Sequence, residues 1–156
     1  QCPMCDRTNN RHMKNAEISL NNFMSMVDID FVHQLNSLLM CGNHGDPLVS
    51  NDTLSIFRYL RVNNPKMYLH MTTNAGARDD DWWKELVLIL GSRGKVTFSV
   101  DGLEDTNHLY RVNVNWKKVE HAMDVFTQAG GKGIWVYLIF PGSFGILAVH
   151  NICNSS

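Results

Sequence analysis

The chain has 156 residues, 44% of them apolar and 19% charged, as in an ordinary globular protein with one core. It carries 14 Lys and Arg against 15 Asp and Glu, a formal net charge of -1, which excludes the basic surplus of a typical nucleic-acid-binding protein. Its longest apolar runs, Leu86 to Leu90 and Ile134 to Phe140, are too short to span a bilayer.

Short apolar runs alternate with longer stretches in which apolar residues recur at helical spacing. In chain order, the first predicted elements are a helix from Ser19 to Val27, a strand at 37–41, and a helix that begins at Asp52 or Thr53 and ends before Pro65. A strand at 67–72 and a helix from 79–81 to Gly91 follow. The last three predicted elements are a strand at 95–100, a helix at 116–129 and a strand at 134–140. This alternation predicts an α/β fold with parallel strands and right-handed crossovers.

Polar loops follow the predicted strands. The carboxyl ends of parallel strands lie at one edge of the sheet or barrel, where α/β proteins bind their ligands. We therefore expect one rim to carry the functional residues, in four segments: 2–5, 42–46, 74–76 and 99–101.

The cysteines favour a metal site over a disulfide framework. Four cysteines in 156 residues are too few and too scattered for a small secreted protein. We therefore expect a cytoplasmic protein, in which the C-x-x-C motif of Cys2 and Cys5 indicates an iron–sulfur, zinc or redox site. We expect that no signal peptide opens the chain and that its first residues, from Gln1, belong to the interior of a longer protein.

Each motif also has a plainer interpretation. Cys2 and Cys5 could form a thioredoxin-like pair, or could join Cys41 and His44 in a tetrahedral zinc site. Against zinc, Cys41 ends an apolar run, where we expect it to be buried as a small core residue.

The other polar segments are equally compatible with surface structure. The segment 42–47 has the composition of a turn, as does Asp101 with Gly102. His108 is compatible with a surface histidine and Arg111 with a solvated charge.

In order and spacing, the segments together resemble the radical S-adenosylmethionine (radical SAM) superfamily. The cluster motif of that family is C-x-x-x-C-x-x-C, and Cys2 and Cys5 resemble its last two cysteines. The segment 41–47 resembles the Gly-Gly-Glu element of the family, with Asp46 in the acidic place, and 73–76 is similar to the element that ends its third strand.

The segment 99–102, followed by His108 and Arg111, resembles the Ser-x-Asp-Gly…His…Arg stretch of the SPASM-type peptide maturases within that family. The resemblance implies a partial (β/α)6 barrel whose first and sixth strands are missing or incomplete. It implies a radical SAM core at 1–140 and a divergent or unstructured tail at 141–156. It also places the first cluster cysteine four residues before Cys2, so the chain is expected to be a fragment that is inactive alone.

Site residues follow from the resemblance. Cys2 and Cys5 are implied as ligands of a [4Fe–4S] cluster. The residues implied to bind S-adenosylmethionine (AdoMet) are Met4, Gly42, Asn43, Gly45, Asp46, Asn74, Ser99, Asp101 and Arg111. In this scheme 42–46 contacts the ammonium group, Ser99 lies near the ribose or methionine part, and Met4 packs against adenine. Arg111 offers its planar charged fork to the carboxylate.

The activity that the resemblance implies is reductive cleavage of AdoMet to a 5′-deoxyadenosyl radical, which removes hydrogen from a small-molecule, peptide or protein substrate. The implied partner is a reductant protein such as flavodoxin or ferredoxin, and neither nucleic acid nor membrane is expected. Two alternatives stay open. One is a zinc-stabilised α/β binding module, and the other is a degenerate radical SAM scaffold without catalytic activity.

Overall fold

The structure is a computed structural model that describes residues 2, 3, 5, 9, 10, 12, 16–42 and 45–138, and the backbone of 151–152. The helices are α1 (Leu20–Met26), α2 (Ile29–Gln34), α3 (Thr53–Asn63), α4 (Asp80–Leu90), α5 (Asn107–Tyr110) and α6 (Trp116–Gln128), and a 3-10 turn covers Gly91–Arg93. The strands are β1 (Ser37–Met40), β2 (Tyr68–Thr73), β3 (Gly94–Ser99), β4 (Gly133–Val136) and β5 (Asn151–Ile152).

The strands form one sheet in the order β1-β2-β3-β4-β5. The first four pair in parallel, each with the next along the chain, and β5 pairs antiparallel with β4. The predicted α/β class and the parallel pairing of its four strands are therefore confirmed. Within the segment 141–156, the structure describes only the two residues of β5.

The three long helices bury their apolar faces against one side of the sheet. Side chains of α3, α4 and α6 share a single core with Leu69 and Met71 of β2 and Val96 and Phe98 of β3. Phe98 packs against rings from two helices, with centroids 5.9 Å from Trp83 and 5.5 Å from Phe126. Aromatic contacts at these distances add to the stabilisation from burial.

The opposite side of the sheet carries none of these core residues. Since successive side chains of a strand point to opposite faces, the strand residues between the core positions share the other side. We call this side the inner face, and the strand register assigns to it Ser37, Leu39, Tyr68, His70, Thr72, Lys95, Thr97, Ser99, Ile134 and Val136.

Local signals place the helix ends close to their predicted positions. The Ser19 hydroxyl accepts a hydrogen bond from Asn22 N at the start of α1, and the Asp79 carboxylate accepts one from Trp82 N at the start of α4. Gly91 ends α4 with φ of 54°, a conformation that suits glycine. The predicted strand 134–140 is observed as β4, and residues 139–140 lie outside the described part of the chain.

Asp52 has a different role from the predicted one. It lies at the N-cap position of α3, but its side chain makes no capping bond to that helix. Its Oδ2 instead accepts a hydrogen bond from Leu20 N, 2.8 Å away, at the first turn of α1. The same carboxylate therefore joins two helices that are distant in sequence.

Two short helices were not predicted. α2 has six residues and α5 has four, too few for a repeating apolar pattern. Tertiary contacts hold α2 in place, because the buried Asn64 side chain donates hydrogen bonds of 2.9 Å to Val32 O and Leu35 O.

Arg61 organises the amino-terminal end of the sheet. Its guanidinium donates five hydrogen bonds of 2.8 to 3.1 Å to carbonyl oxygens. The acceptors lie before β2, at the end of α4 and before β3: Pro65, Met67, Ile89, Leu90 and Arg93. Burial, with the positive charge of Arg93, lowers the pKa of Arg61.

Across the described residues, every helix falls short of the length and apolar character needed to cross a bilayer.

Candidate functional site at the carboxyl ends of the strands

The structure places the predicted polar segments at the carboxyl ends of β1, β2 and β3. Asp46 follows β1, Asn74 follows β2 directly, and Ser99 is the last residue of β3. Because the three strands are parallel neighbours, these residues lie along one rim of the sheet.

Asp46 ties the loop after β1 to the end of β2. Its Oδ1 accepts hydrogen bonds from Leu48 N at 3.0 Å and from the Thr73 hydroxyl at 2.7 Å. Its Oδ2 accepts a third bond from Asn74 N at 2.8 Å. A carboxylate that accepts three such bonds is held in one orientation, so Asp46 fixes the relative position of two rim loops.

Gly42 and Gly45, in the loop after β1, approach each other closely. A Cβ atom on Gly42 would lie 2.8 Å from the Gly45 carbonyl oxygen, so a larger residue would force the backbone apart. Beside this loop is a cavity of about 540 Å³, bordered by Gly45, Asp46, Met40 and Cys41. Its walls include residues of α1 and α3, which places it on the helix side of the sheet.

The end of β2 is held by its own side chains. Asn74 Oδ1 accepts a hydrogen bond from Gly76 N at 2.8 Å, and Thr73 Oγ1 accepts one from Ala75 N at 3.1 Å. Ala75 is fully buried at φ of 58°, a left-handed conformation that costs energy for any residue except glycine. The surrounding hydrogen bonds hold this rim segment in place despite the strain.

The carboxyl end of β3 carries a buried ion pair. The side chain of Asp101 is only 1% exposed, and its Oδ2 accepts a hydrogen bond from Arg111 Nε. Its Oδ1 accepts a bond from Leu138 N, 2.7 Å away, just after β4. Both oxygens of Asp101 therefore contact the protein itself, and Arg111 is not the solvated charge of the plainer interpretation.

Arg111 extends from this pair to the cysteine motif. Its Nη1 lies 3.7 Å from Cys2 Sγ, a contact that joins residues 109 positions apart. Cys2 and Cys5 are half-buried thiols outside any disulfide, and Cys5 N donates a 3.0 Å hydrogen bond to Cys2 O. Two soft thiol donors beside a fixed positive charge suit a cluster or metal that binds as thiolates.

Tyr110 and Asn107 belong to the same site, although neither was predicted as a site residue. Burial raises the pKa of the Tyr110 phenol, and Cys2, Asp101 and Cys5 act in the same direction while Arg111 opposes them. Asn107 is buried, and its Oδ1 accepts a 3.0 Å hydrogen bond from Asp101 N. In the sequence, the only feature that could have identified these two residues is their position between Asp101 and Arg111.

The remaining predicted residues divide into two groups. His108 is exposed on α5, in agreement with a surface histidine, and Ser99 is half-buried on the inner face. Met4, Asn43 and His44 lie outside the described residues.

Cys41 corrects one prediction and weakens another. It is exposed, so the expectation that it packs in the core was wrong. It follows β1, which within the described sheet pairs only with β2 and so leaves one side uncovered. The described residues also include no group of three or more His, Cys, Asp or Glu able to hold a metal ion, so Cys41 does not join Cys2 and Cys5 as the zinc hypothesis requires.

Comparison with protein-family models finds no match, and comparison with curated protein sequences finds none either. Solved structures do match. A histidine-tagged form of anSMEcpe with bound AdoMet aligns over 88% of this chain and 38% of its own, with a TM-score of 0.65 at 18% identity.

Two further structures of the same enzyme agree. Native anSMEcpe with bound AdoMet aligns over 72% of this chain and 34% of its own, with a TM-score of 0.57 at 21% identity. Native anSMEcpe with bound AdoMet and the Cp18Cys peptide aligns over 70% and 32%, with a TM-score of 0.52 at 18% identity.

The chain thus spans between 32% and 38% of the length of these solved proteins. anSMEcpe is an anaerobic sulfatase-maturating enzyme of the SPASM-type radical SAM group. The structural likeness confirms the predicted resemblance at the level of the fold: this chain has the fold of part of a radical SAM enzyme.

Proposed function

We propose that this chain is the core of a radical SAM enzyme that binds a [4Fe–4S] cluster and AdoMet and cleaves AdoMet reductively. The observation that carries the proposal is the contact between Arg111 and Cys2 Sγ. It brings the C-x-x-C motif to the carboxyl end of β3, in a fold whose solved examples hold AdoMet. The 5′-deoxyadenosyl radical then removes hydrogen from a small-molecule, peptide or protein substrate. The proposed reductant is a flavodoxin- or ferredoxin-like protein.

Cys2 and Cys5 are the proposed cluster ligands in this chain. When bound, such a cluster supplies the electron that breaks a carbon–sulfur bond of AdoMet. The protein's own part is to hold its thiolates in place, and the hydrogen bond from Cys5 N to Cys2 O and the nearby Arg111 guanidinium do so. The resemblance assigns the third thiolate to a cysteine four residues before Cys2.

The rim residues are the proposed AdoMet site. Arg111 is oriented by Asp101 through Nε, and we assign the N–H groups that contact neither Asp101 nor Cys2 to the carboxylate of AdoMet. Asp46 accepts hydrogen bonds from Leu48, Thr73 and Asn74, so its main role is to hold the 42–46 loop in place. We propose that carbonyl groups of this loop bind the ammonium group of AdoMet. Asn74 and Ser99 lie along the rim. Met4 and Asn43, which are outside the described residues, stay proposed AdoMet contacts on the resemblance alone.

The test is cluster reconstitution in a protein that is extended at its amino terminus to include the cysteine expected four residues before Cys2. After anaerobic incubation with iron and sulfide, we expect about four irons per chain and visible absorbance that shifts when AdoMet is added. Changing Cys2→Ala or Cys5→Ala should abolish both signals. The matched control is Cys41→Ala, which removes an exposed cysteine away from the pair and should leave the iron content unchanged.

Other outcomes would support the alternatives. A colourless protein with one zinc per chain, lost in the Cys41→Ala variant, would favour the zinc-stabilised binding module. A folded protein without metal would favour the scaffold that lacks catalytic activity. Either result contradicts the proposed function.

A further inference from the structure

Arg78 joins the loops after β1 and β2 at a second point besides Asp46. Its guanidinium, in the connection from β2 to α4, donates hydrogen bonds to two carbonyl oxygens of the first loop. Nε bonds to Leu48 O, and Nη2 bonds to Ser50 O at 2.7 Å. The planar fork of an arginine can hold both carbonyls at once. Arg78 thus donates from the second loop to the first, while Asp46, in the first loop, accepts from the second.

The guanidinium of Arg78 is held in place, although the residue as a whole is exposed. Its Cζ lies 5.7 Å from the centre of the Trp82 ring, a cation–π contact with the first turn of α4. The backbone of Arg78 has φ of 73°, in the left-handed region that costs energy for a residue with a side chain. Such strain persists only where the surrounding contacts hold it, and here these contacts are the two hydrogen bonds and the ring.

Leu48 connects these hydrogen bonds of Arg78, which we call the Arg78 clamp, to the proposed AdoMet site. Its carbonyl oxygen accepts from Arg78, and its N–H donates one of the three hydrogen bonds that the Asp46 carboxylate accepts. The side chain of Leu48 is buried in the core, so the residue has little freedom while the clamp is closed. Releasing Leu48 would move a donor away from Asp46, and the effect of Arg78 therefore extends to that carboxylate.

We infer that Arg78 is a positioning residue of the proposed AdoMet site. The Arg78 clamp holds the loop after β1 against the end of β2 and so keeps Asp46, which orders the ammonium-binding backbone of that site, in one position. This inference rests on the proposed function, because only that function places a ligand at the loop. Lysine does not replace Arg78, since a single ammonium on a flexible stem does not present two fixed donors to two carbonyl groups.

NMR of the 156-residue chain tests the Arg78 clamp without iron or AdoMet. The variant is Arg78→Asn, because asparagine tolerates a positive φ and lacks the guanidinium fork. The amides of Leu48 and Asn74 both donate to Asp46, so we expect both amide-proton resonances to move upfield in the variant as these hydrogen bonds weaken. The control is Arg93→Asn, which removes an arginine that donates to a carbonyl just before β2, at the opposite end of the sheet, and should leave both resonances unchanged.

In the extended protein with its cluster reconstituted, the same variant separates AdoMet binding from cluster assembly. We expect Arg78→Asn to keep the parent's iron content and its spectrum without AdoMet. It should need at least about tenfold more AdoMet to reach half of the absorbance shift, the usual scale for residues that support a ligand site from behind. A general loss of folding would lower the iron content as well, so the difference between the two measurements identifies a positioning role. Arg78→Lys should be impaired in the same way.

Three results would overturn the inference. They are unchanged amide resonances at Leu48 and Asn74, parent AdoMet affinity in Arg78→Asn at full iron content, and parent affinity in Arg78→Lys, which would assign the effect to charge alone. A parent protein that takes up no cluster would instead refute the proposed function. Unchanged resonances would refute the Arg78 clamp whether or not a cluster forms, so the two failures are distinguishable.

Discussion

Arg111 contacts Asp101 and Cys2, so one side chain joins the end of β3 to the cysteine motif. The Asp101 side chain is 1% exposed and that of Arg111 is 17% exposed, so both charged groups are largely shielded from solvent. A buried ion pair adds little net stability, but removing one partner leaves an uncompensated charge. Arg111 therefore contributes to the stability of the fold as well as to the proposed binding of AdoMet.

The first prediction concerns Arg111→Met. Because the Asp101 carboxylate would stay buried without its partner, we expect the free energy of unfolding to fall by about 3 kcal/mol, measured by urea denaturation. Arg58→Met is the control. Arg58 pairs with Glu85 on the surface, with side chains 54% and 41% exposed, so its loss should cost less than about 1 kcal/mol. Equal losses in the two variants would contradict this account.

At the scale of elements, the connection from β3 to α5 is the tightest part of the site. A Cβ atom on Gly102 would lie 2.4 Å from Asn107 N and 2.6 Å from Thr106 C. These are backbone atoms, so they cannot move away as a flexible side chain can. The close approach brings Asn107 under Asp101 and sets the start of α5, from which Arg111 follows.

Gly102→Ala should therefore disturb the whole connection. We expect a loss of about 1 to 3 kcal/mol in the free energy of unfolding, the usual cost of overpacking, and a weaker Arg111 contact with Cys2. Gly76→Ala is the matched change in the neighbouring rim loop. The nearest atom to its added Cβ is the Asn74 Oδ1 side-chain atom at 3.1 Å, so a smaller loss is expected in the same thermal or urea unfolding experiment. A larger loss for Gly76→Ala would be evidence against the steric argument.

Considered as a whole, the molecule has a sheet with two unlike sides. One side is sealed by helices over an apolar core, and the inner face carries polar groups that include His70 next to Lys95 of the adjacent strand. Burial first, and the charge of Lys95 second, lower the pKa of His70 from its ordinary 6.5. The folded protein thus resists taking up a proton that the unfolded chain accepts.

This difference predicts how stability depends on pH. Below about pH 6.5 the unfolded state binds more protons at His70 than the folded state, so stability falls as the pH drops towards the lowered pKa. We expect the loss of unfolding free energy between about pH 7.5 and 5.0 to be smaller in His70→Gln than in the parent protein, measured by urea titration. His33→Gln, at an exposed position on α2, serves as control and should keep the parent's dependence. An unchanged pH dependence in His70→Gln would refute the assignment.

The long elements could be predicted because each has a repeated apolar pattern and a local end signal. Ser19, Asp79 and Gly91 act within one or two turns of their own position, so their roles are visible in the sequence. The four-residue α5 has no such pattern, and the contact of Asp52 with Leu20 joins residues 32 positions apart.

The site was predictable in outline, because parallel strands bring their ends to one rim. Its internal pairing was not, since the bonds from Asp101 to Arg111 and Leu138 depend on how α5 and β4 are placed. The burial of Cys41 was misjudged for a related reason. Its apolar run predicts a strand correctly, but only the strand order shows that β1 lies at an edge of the described sheet.

The five hydrogen bonds from Arg61 to carbonyl oxygens link three segments at the amino-terminal end of the sheet, so we expect these segments to open together. Since one guanidinium holds the residues before β2, the end of α4 and the residues before β3, none of these segments can separate alone without breaking bonds to the others. Backbone amides of these segments should therefore exchange with solvent in one cooperative opening, which native-state hydrogen exchange would measure as similar opening free energies.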